Sequence, residues 1–201
     1  MTLRLHLASG NAHKAGEFAA LARAAGAPVE IVRPPRMPPV LEDTGTFLGN
    51  ARKKAAALQA ELPARSWVLA DDSGLLVDAL GGAPGVESAY FAGPEGDFAA
   101  NLRKLREVMV AVPDGQRQAC FYCLLLAAGP AGEEHVFEGR CEGMIAREPA
   151  GADGFGYDPI FVPAGHACTY AQLSPAEKNR ISHRGQAWAA LVSWARQREA
   201  G

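Results

Sequence analysis

The stretch LRLHLASGNAHKAGEFAALARAAG, residues 3–26, decides the fold class. Leu3, Leu5 and Leu7 alternate with Arg4 and His6, the two-residue period of a strand with one apolar face. Ser9-Gly10-Asn11 breaks the alternation. From Ala12 to Ala25, Phe18, Leu21, Ala22 and Ala25 recur at helical spacing, and Gly26 supplies the stop. A strand that turns directly into a helix is the opening of an α/β unit.

Working outward, the same alternation of periods recurs. Val29–Val32 reads as a second strand, and RPPRMPP (33–39) as an exposed connection, because each proline removes a backbone donor. Phe47, Ala51, Ala55, Leu58 and Leu62 mark a second helix with Thr46 as its N-cap. Trp67–Ala70 reads as a short apolar strand that ends at Asp71-Asp72. Phe98, Leu102, Leu105 and Met109 give a third helix capped by Asp97. An apolar strand covers Ala119–Ala128, and a hairpin-like pair covers 134–147. A glycine-rich loop leads to a strand at Ile160–Val162. Ser174-Pro175-Ala176-Glu177 combines an N-cap serine, a proline at the first helical position and a capping-box glutamate. Gly185 reads as an interruption before a last helix over Ala187–Arg198. The expected architecture is α/β, a mixed central sheet flanked by helices, in two lobes with a substrate cleft between them. Residues 1–201 form one domain.

Composition bounds the function. At 201 residues, 48% hydrophobic and 21% charged, the chain has ordinary globular content. A net charge of −2 speaks against a duplex nucleic-acid partner, which calls for a basic face. Phe121–Ala128, the strongest apolar run, is far shorter than a membrane span, and residues 1–8 are too short and interrupted for a signal peptide. A cytoplasmic protein without a membrane partner is expected. Cys120, Cys123, Cys141 and Cys168 lack a second pair or histidines at zinc-ligand spacing, so they read as ordinary thiols.

Five polar clusters interrupt the elements: SGNAHK (9–14), EDTGTF (42–47), ADDSG (70–74), GADGFGYDP (151–159) and EKNRISHRG (177–185). The first lies at a strand-to-helix turn, where free amides and the helix dipole suit a phosphate. Lys14 in that first turn opposes the dipole, a conflict that a bound polyphosphate removes. The same residues also read as a plain Asn11 cap beside a solvated lysine. Glu42 and Asp72 suit magnesium, which takes a few carboxylates with water and substrate phosphates. Asp72-Ser73-Gly74 equally suits a turn. If the strand runs through 71–72, the two aspartates face opposite ways. Lys54 falls near the apolar stripe of its helix, unlike Arg52 and Lys53. Phe155 and Tyr157 among glycines suit either stacking on a base or a place in the core. Lys178, His183 and Arg184 crowd one helix end, as donors to a base or as cations complementing a dipole.

Taken together, SGNAHKAGEF, EDTGTFLGNARKKA, LADDSGLLVDALGGAPGVESAYFAG, REPAGADGFGYDPIF and EKNRISHRGQA resemble the inosine/xanthosine triphosphate pyrophosphatase family over nearly the whole chain. The resemblance implies a magnesium-dependent homodimer that hydrolyses ITP, dITP and XTP to the monophosphate and pyrophosphate. It also implies roles for individual residues. Ser9, Gly10, Asn11, Ala12, His13 and Lys14 would hold the triphosphate, with Lys54 assisting. Asp72 would be general base and metal ligand, with Glu42 the second ligand. Ser73, Phe155, Gly156, Tyr157, Asp158, Lys178, His183 and Arg184 would contact the substrate. A related enzyme acting on pyrimidine or modified-base triphosphates, and a nucleotide sensor without catalysis, are the competing readings. The chain departs from the family at Gly49, where a glutamate is common; a helical glycine costs ~1 kcal/mol relative to alanine.

Overall fold

The computed structural model describes residues 2–24 and 26–200; Ala25, expected on the apolar face of the first helix, lies outside the described residues. The elements follow as β1 (Leu3–Ala8), α1 (Ala12–Ala24), β2 (Val29–Val32), α2 (Phe47–Gln59), β3 (Trp67–Val77), α3 (Phe98–Val108), β4 (Gln118–Ala128), β5 (Glu134–Ile145), β6 (Phe161–Pro163), α4 (Pro175–Ile181) and α5 (His183–Ala200). The sheet has the order β2-β1-β3-β4-β5-β6. β1 runs parallel to β2 and to β3, whereas β5 and β6 are antiparallel, so the sheet is mixed as expected.

The register explains how distant motifs meet. Leu5 pairs with Trp67 and Ala8 with Ala70. The turn that begins at Ser9 therefore follows β1 at the level where β3 reaches Asp71.

The chain divides into two compact units: Met1–Asp72 with Cys123–Gly139 and Arg184–Gly201, and Ser73–Tyr122 with Arg140–His183. The first has its own core, in which Leu5, Leu7, Phe18, Leu69, Leu125, Trp188 and Leu191 are buried. The second has another, built on Leu75, Leu105, Met109, Phe121, Ile160, Phe161 and Tyr170.

Three elements differ from expectation. β3 does not stop at Asp71-Asp72 but continues to Val77. Both carboxylates are buried there, and each has an ion pair within the first unit, so acidic residues need not end a strand. Residues 134–145 form one long strand rather than a hairpin, because β6 supplies the antiparallel partner at Gly143–Ile145. α5 starts at His183 and passes through Gly185 without a break. Burial of Ala187, Trp188, Leu191 and Val192 outweighs the poor propensity of one glycine. The capping predictions hold: Thr46, Asp97 and Ser174 accept backbone N–H bonds from their first helical turns. Among the described residues, no helix is long and apolar enough to cross a membrane.

Candidate functional site

In the first unit, the turn between β1 and α1 is closed by its own side chains. The Asn11 amide donates to Ser9 Oγ at 3.2 Å, and Asn11 Oδ1 accepts from the amides of His13 (2.9 Å) and Lys14 (3.2 Å). Asn11 is thus a helix cap, and three amides of the turn are engaged before any ligand arrives. The Lys14 ammonium does not stay in solvent. It bonds Asp71 Oδ1, which resolves the clash between its charge and the dipole of α1.

β3 supplies both neighbours of this arrangement. Its alternation sends Asp71 and Asp72 to different partners. Asp71 is fully buried and takes Lys14 on one oxygen and Arg184 Nε (3.1 Å) on the other, where the Cys123 thiol also approaches at 3.6 Å. Arg184 continues the chain of charges through a second bond, from Nη1 to Glu17. Asp72 Oδ1 accepts from Lys54 Nζ at 2.7 Å, and the same ammonium reaches Glu42 Oε2 at 2.8 Å. α2 brings Lys54 inward on the face of buried Ala51, Ala55 and Leu58.

The two aspartates differ in electrostatics. Burial would push the Asp71 carboxyl up, but Lys14 and Arg184 overcome it and hold the group well below the usual carboxylate range. At Asp72 burial wins over Lys54 and Lys14, aided by the Glu42 charge, and the carboxyl is raised to about 6. Among the described residues, Asp72 Oδ2 is buried with no hydrogen-bond partner, so no bond offsets its desolvation. Burial alone would lower Lys54, yet Asp72 and Glu42 keep its ammonium above the ordinary lysine value.

The second unit holds the aromatic cluster. Phe155 is half-buried against Phe98, ring centroids 5.6 Å apart, with Lys178 Nζ 5.3 Å from its face. Asp158 Oδ2 ties the loop together, accepting from the Phe155 amide (2.9 Å) and from Lys178 Nζ (2.7 Å). Gly154 makes this possible, since a Cβ there would overlap the Asp158 carboxylate. Tyr157 is buried and donates to the Ser88 carbonyl at 2.9 Å, so its hydroxyl serves the core. His183 is buried and stacks on Phe121 at 4.8 Å with 9° between ring planes. Ser73, next in β3 after Asp72, is half-buried at the start of this unit.

The structure therefore joins Lys14 to Asp71, joins Lys54 to Asp72 and Glu42, and joins Phe155, Asp158 and Lys178. Lys178 bonds Asp158, His183 lies on Phe121, and the Arg184 side chain lies between Asp71 and Glu17. Glu17 was not legible beforehand. The available signal for Glu17 was its place three residues after Lys14, on the same face of α1.

Glu42 and Asp72, which share Lys54, could hold a magnesium ion. Among the described residues, no group of three or more His, Cys, Asp or Glu forms a closed metal cage. Two carboxylates with an orphaned oxygen are still enough for an ion that keeps waters and borrows phosphate oxygens.

A mixed six-stranded α/β fold, in which Lys14 of α1 and Lys54 of α2 pair with the neighbouring carboxylates Asp71 and Asp72 of β3, defines the class. The Ham1 family model matches residues 5–194, and the chain belongs to that family. A dITP/XTP pyrophosphatase of Opitutus terrae is 61% identical over 202 residues, covering 97% of this chain and all of that protein. One from Streptomyces coelicolor is 46% identical, over 96% of this chain and 98% of that protein. Among solved structures, a HAM1 protein from Coxiella burnetii superposes with a TM-score of 0.83 at 38% identity, covering 97% of this chain and 99% of that one. A nucleoside-triphosphatase / dITP/XTP pyrophosphatase from Mycobacterium abscessus gives a TM-score of 0.73 at 44% identity, with 94% and 97% covered.

Proposed function

We propose that this chain is a nucleoside-triphosphate pyrophosphatase that hydrolyses ITP, dITP and XTP to the nucleoside monophosphate and pyrophosphate. One observation carries the mechanism: Lys54 holds one oxygen of Asp72, while the other is buried with no hydrogen-bond partner among the described residues. That oxygen accepts a proton from a water molecule, and the water oxygen attacks the α-phosphorus. The bond from the α-phosphorus to its bridging oxygen breaks, and the electron pair leaves on pyrophosphate. A base with its carboxyl near 6 is ionised at neutral pH and keeps useful proton affinity. Lys14 and Lys54 offer positive charge to the phosphates. Magnesium held by Glu42 and Asp72 would supply charge neutralisation on the phosphate oxygens.

Base reading falls to the Phe155 loop together with His183 and Arg184. Phe155 offers a ring for stacking, Lys178 shapes its loop through Asp158, and His183 with Arg184 would donate to the 6-keto oxygen. Ser9, Gly10, Asn11, Ala12 and His13 form the triphosphate turn; Ser73, Gly156, Tyr157 and Asp158 complete the nucleoside contacts. A homodimeric state and a cytoplasmic role in cleansing the nucleotide pool follow from the family resemblance.

The test is pyrophosphate release across a panel of triphosphates with and without magnesium. Release from ITP, dITP and XTP far above ATP, GTP and the pyrimidine triphosphates is expected. A preference for a pyrimidine triphosphate, or binding without release, would overturn the reading.

A further inference from the structure

The torsion that turns an imidazole ring has no sharp staggered wells, so packing must set the plane of the His183 ring. The ring nitrogens, which are its possible donors, lie in that plane. The plane therefore decides where a donor points, and a hydrogen bond weakens steeply once its angle falls below about 120°.

The backbone of His183 is fixed where two helices meet. Ser182 ends α4 in an extended conformation, and α5 begins at His183. The ring plane is matched by Phe121, whose ring lies 4.8 Å from the imidazole, centroid to centroid, with 9° between the planes. Phe121 is itself held. Ala119 and Phe121 lie on one side of β4 and join the second core. Phe161 meets the Phe121 ring edge-on at 4.7 Å and 67°, and Tyr170 lies nearly parallel to it at 5.6 Å and 10°. Phe161 and Tyr170 are both buried, and all four rings belong to the second compact unit. Aromatic pairs carry a preference for orientation beyond their burial, so a ring fixed on two neighbours passes its plane to a third.

We infer that Phe121 is a positioning residue for base recognition: its ring face holds the His183 imidazole in the plane from which an N–H meets the 6-keto oxygen of the purine. The inference deepens the proposed function and rests on the base-reading role of His183. Phe121 acts through His183.

The experiment compares the parent, Phe121→Leu, Phe121→Met, His183→Gln and the double variant carrying Phe121→Leu with His183→Gln. The readout is the ratio of kcat/KM for ITP to that for ATP, in which a loss of folded enzyme or of phosphate chemistry cancels. Leucine and methionine keep an apolar side chain and remove the flat face. In both, the ratio should fall about two- to tenfold, the equivalent of one aromatic pair. On the His183→Gln background, Phe121→Leu should change the ratio no further, because two residues that act as a unit are not additive. A parent-like ratio in the folded Phe121→Leu and Phe121→Met chains, or an equal fall with and without His183, overturns the inference and leaves Phe121 as a core residue alone. A His183→Gln chain that keeps the parent ratio overturns the base-reading role of His183 itself, and the inference falls with it.

Discussion

Asp71 and Asp72 are the same residue twice, yet their surroundings give them opposite duties. Asp72 stands on one lysine with an oxygen to spare, and its carboxyl is raised to about 6. Replacing it by asparagine keeps the shape and removes both the proton acceptor and a metal ligand. Turnover of ITP should fall by at least ~10²–10⁴-fold, the usual share of a positioned general base. Near-parent turnover in a folded Asp72→Asn chain would remove Asp72 from that role. The same substitution should stabilise the metal-free fold, with a definite pH dependence. Below the unfolded value of 3.8, Asp72 is neutral in both states and costs nothing. Between there and about 6 the unfolded chain releases a proton that the folded chain keeps, and stability falls as pH rises. The gain from Asp72→Asn should thus be absent near pH 4 and fully developed at pH 7. It should reach no more than about 3 kcal/mol, the equivalent of the shift. Thermal melting of both proteins across pH measures it. Lys14→Ala should weaken triphosphate binding and spare inosine; equal weakening of ITP and inosine in a titration would make Lys14 a support of the turn.

β3 shows at the level of elements why the sequence revealed some of the site and hid the rest. The alternation rule placed Asp71 and Asp72 on different faces, and the structure gives them different partners. The strand end was misjudged because adjacent acids usually mark a turn, and the partners that permit their burial come from α1, α2 and α5. Lys54 was legible because its helical phase sets it beside Ala51 and Leu58; the Arg184 contacts were not, because Glu17 and Asp71 are distant in sequence. The caps Thr46, Asp97 and Ser174 were legible because capping is local. Asp71→Asn follows from this contrast. It would leave Arg184 and Lys14 short of a buried counter-charge, and breaking such a pair typically costs about 3–5 kcal/mol. Its effect should be opposite in sign to that of Asp72→Asn at pH 7. The destabilisation should fade as pH falls below the ordinary carboxylate value, where the stability from Asp71's depressed carboxyl is lost in the parent. Chemical denaturation of the two variants at pH 7 checks both signs, and a series descending below pH 3.8 checks the fading. Equal effects would mean that Asp71 is not the anchor of the lysine and the arginine.

At the scale of the whole molecule, the chain sorts its chemistry between two cores. The lysine–carboxylate network belongs to the first compact unit, and the Phe155 loop and His183 belong to the second. His183 is the last residue of the second unit and Arg184, next in α5, belongs to the first. The proposed preference for ITP over ATP would rest on hydrogen-bond polarity. A 6-keto oxygen would accept from His183 or Arg184, whereas the adenine amine would present hydrogens to these donors. Sites that hydrogen-bond a substrate group discriminate by up to ~10⁴–10⁵-fold. GTP keeps the 6-keto group, so its rejection must come from the 2-amino group, which costs roughly 1–3 kcal/mol if buried unpaired. Arg184 is already committed to Asp71 and Glu17, so its removal should depress kcat/KM for every triphosphate through the lost anchor. The base-specific part is isolated by the ratio of kcat/KM for ITP to that for ATP, which damage to the phosphate side leaves unchanged. Arg184→Ala should shrink that ratio by at least tenfold, about 1.4 kcal/mol of discrimination, while the ITP-to-GTP ratio changes less. The same kinetics on His183→Gln separate the two donors. A constant ITP-to-ATP ratio in Arg184→Ala, with a reduced one in His183→Gln, would leave His183 as the reader of the base and Arg184 as the counter-ion that steadies Asp71.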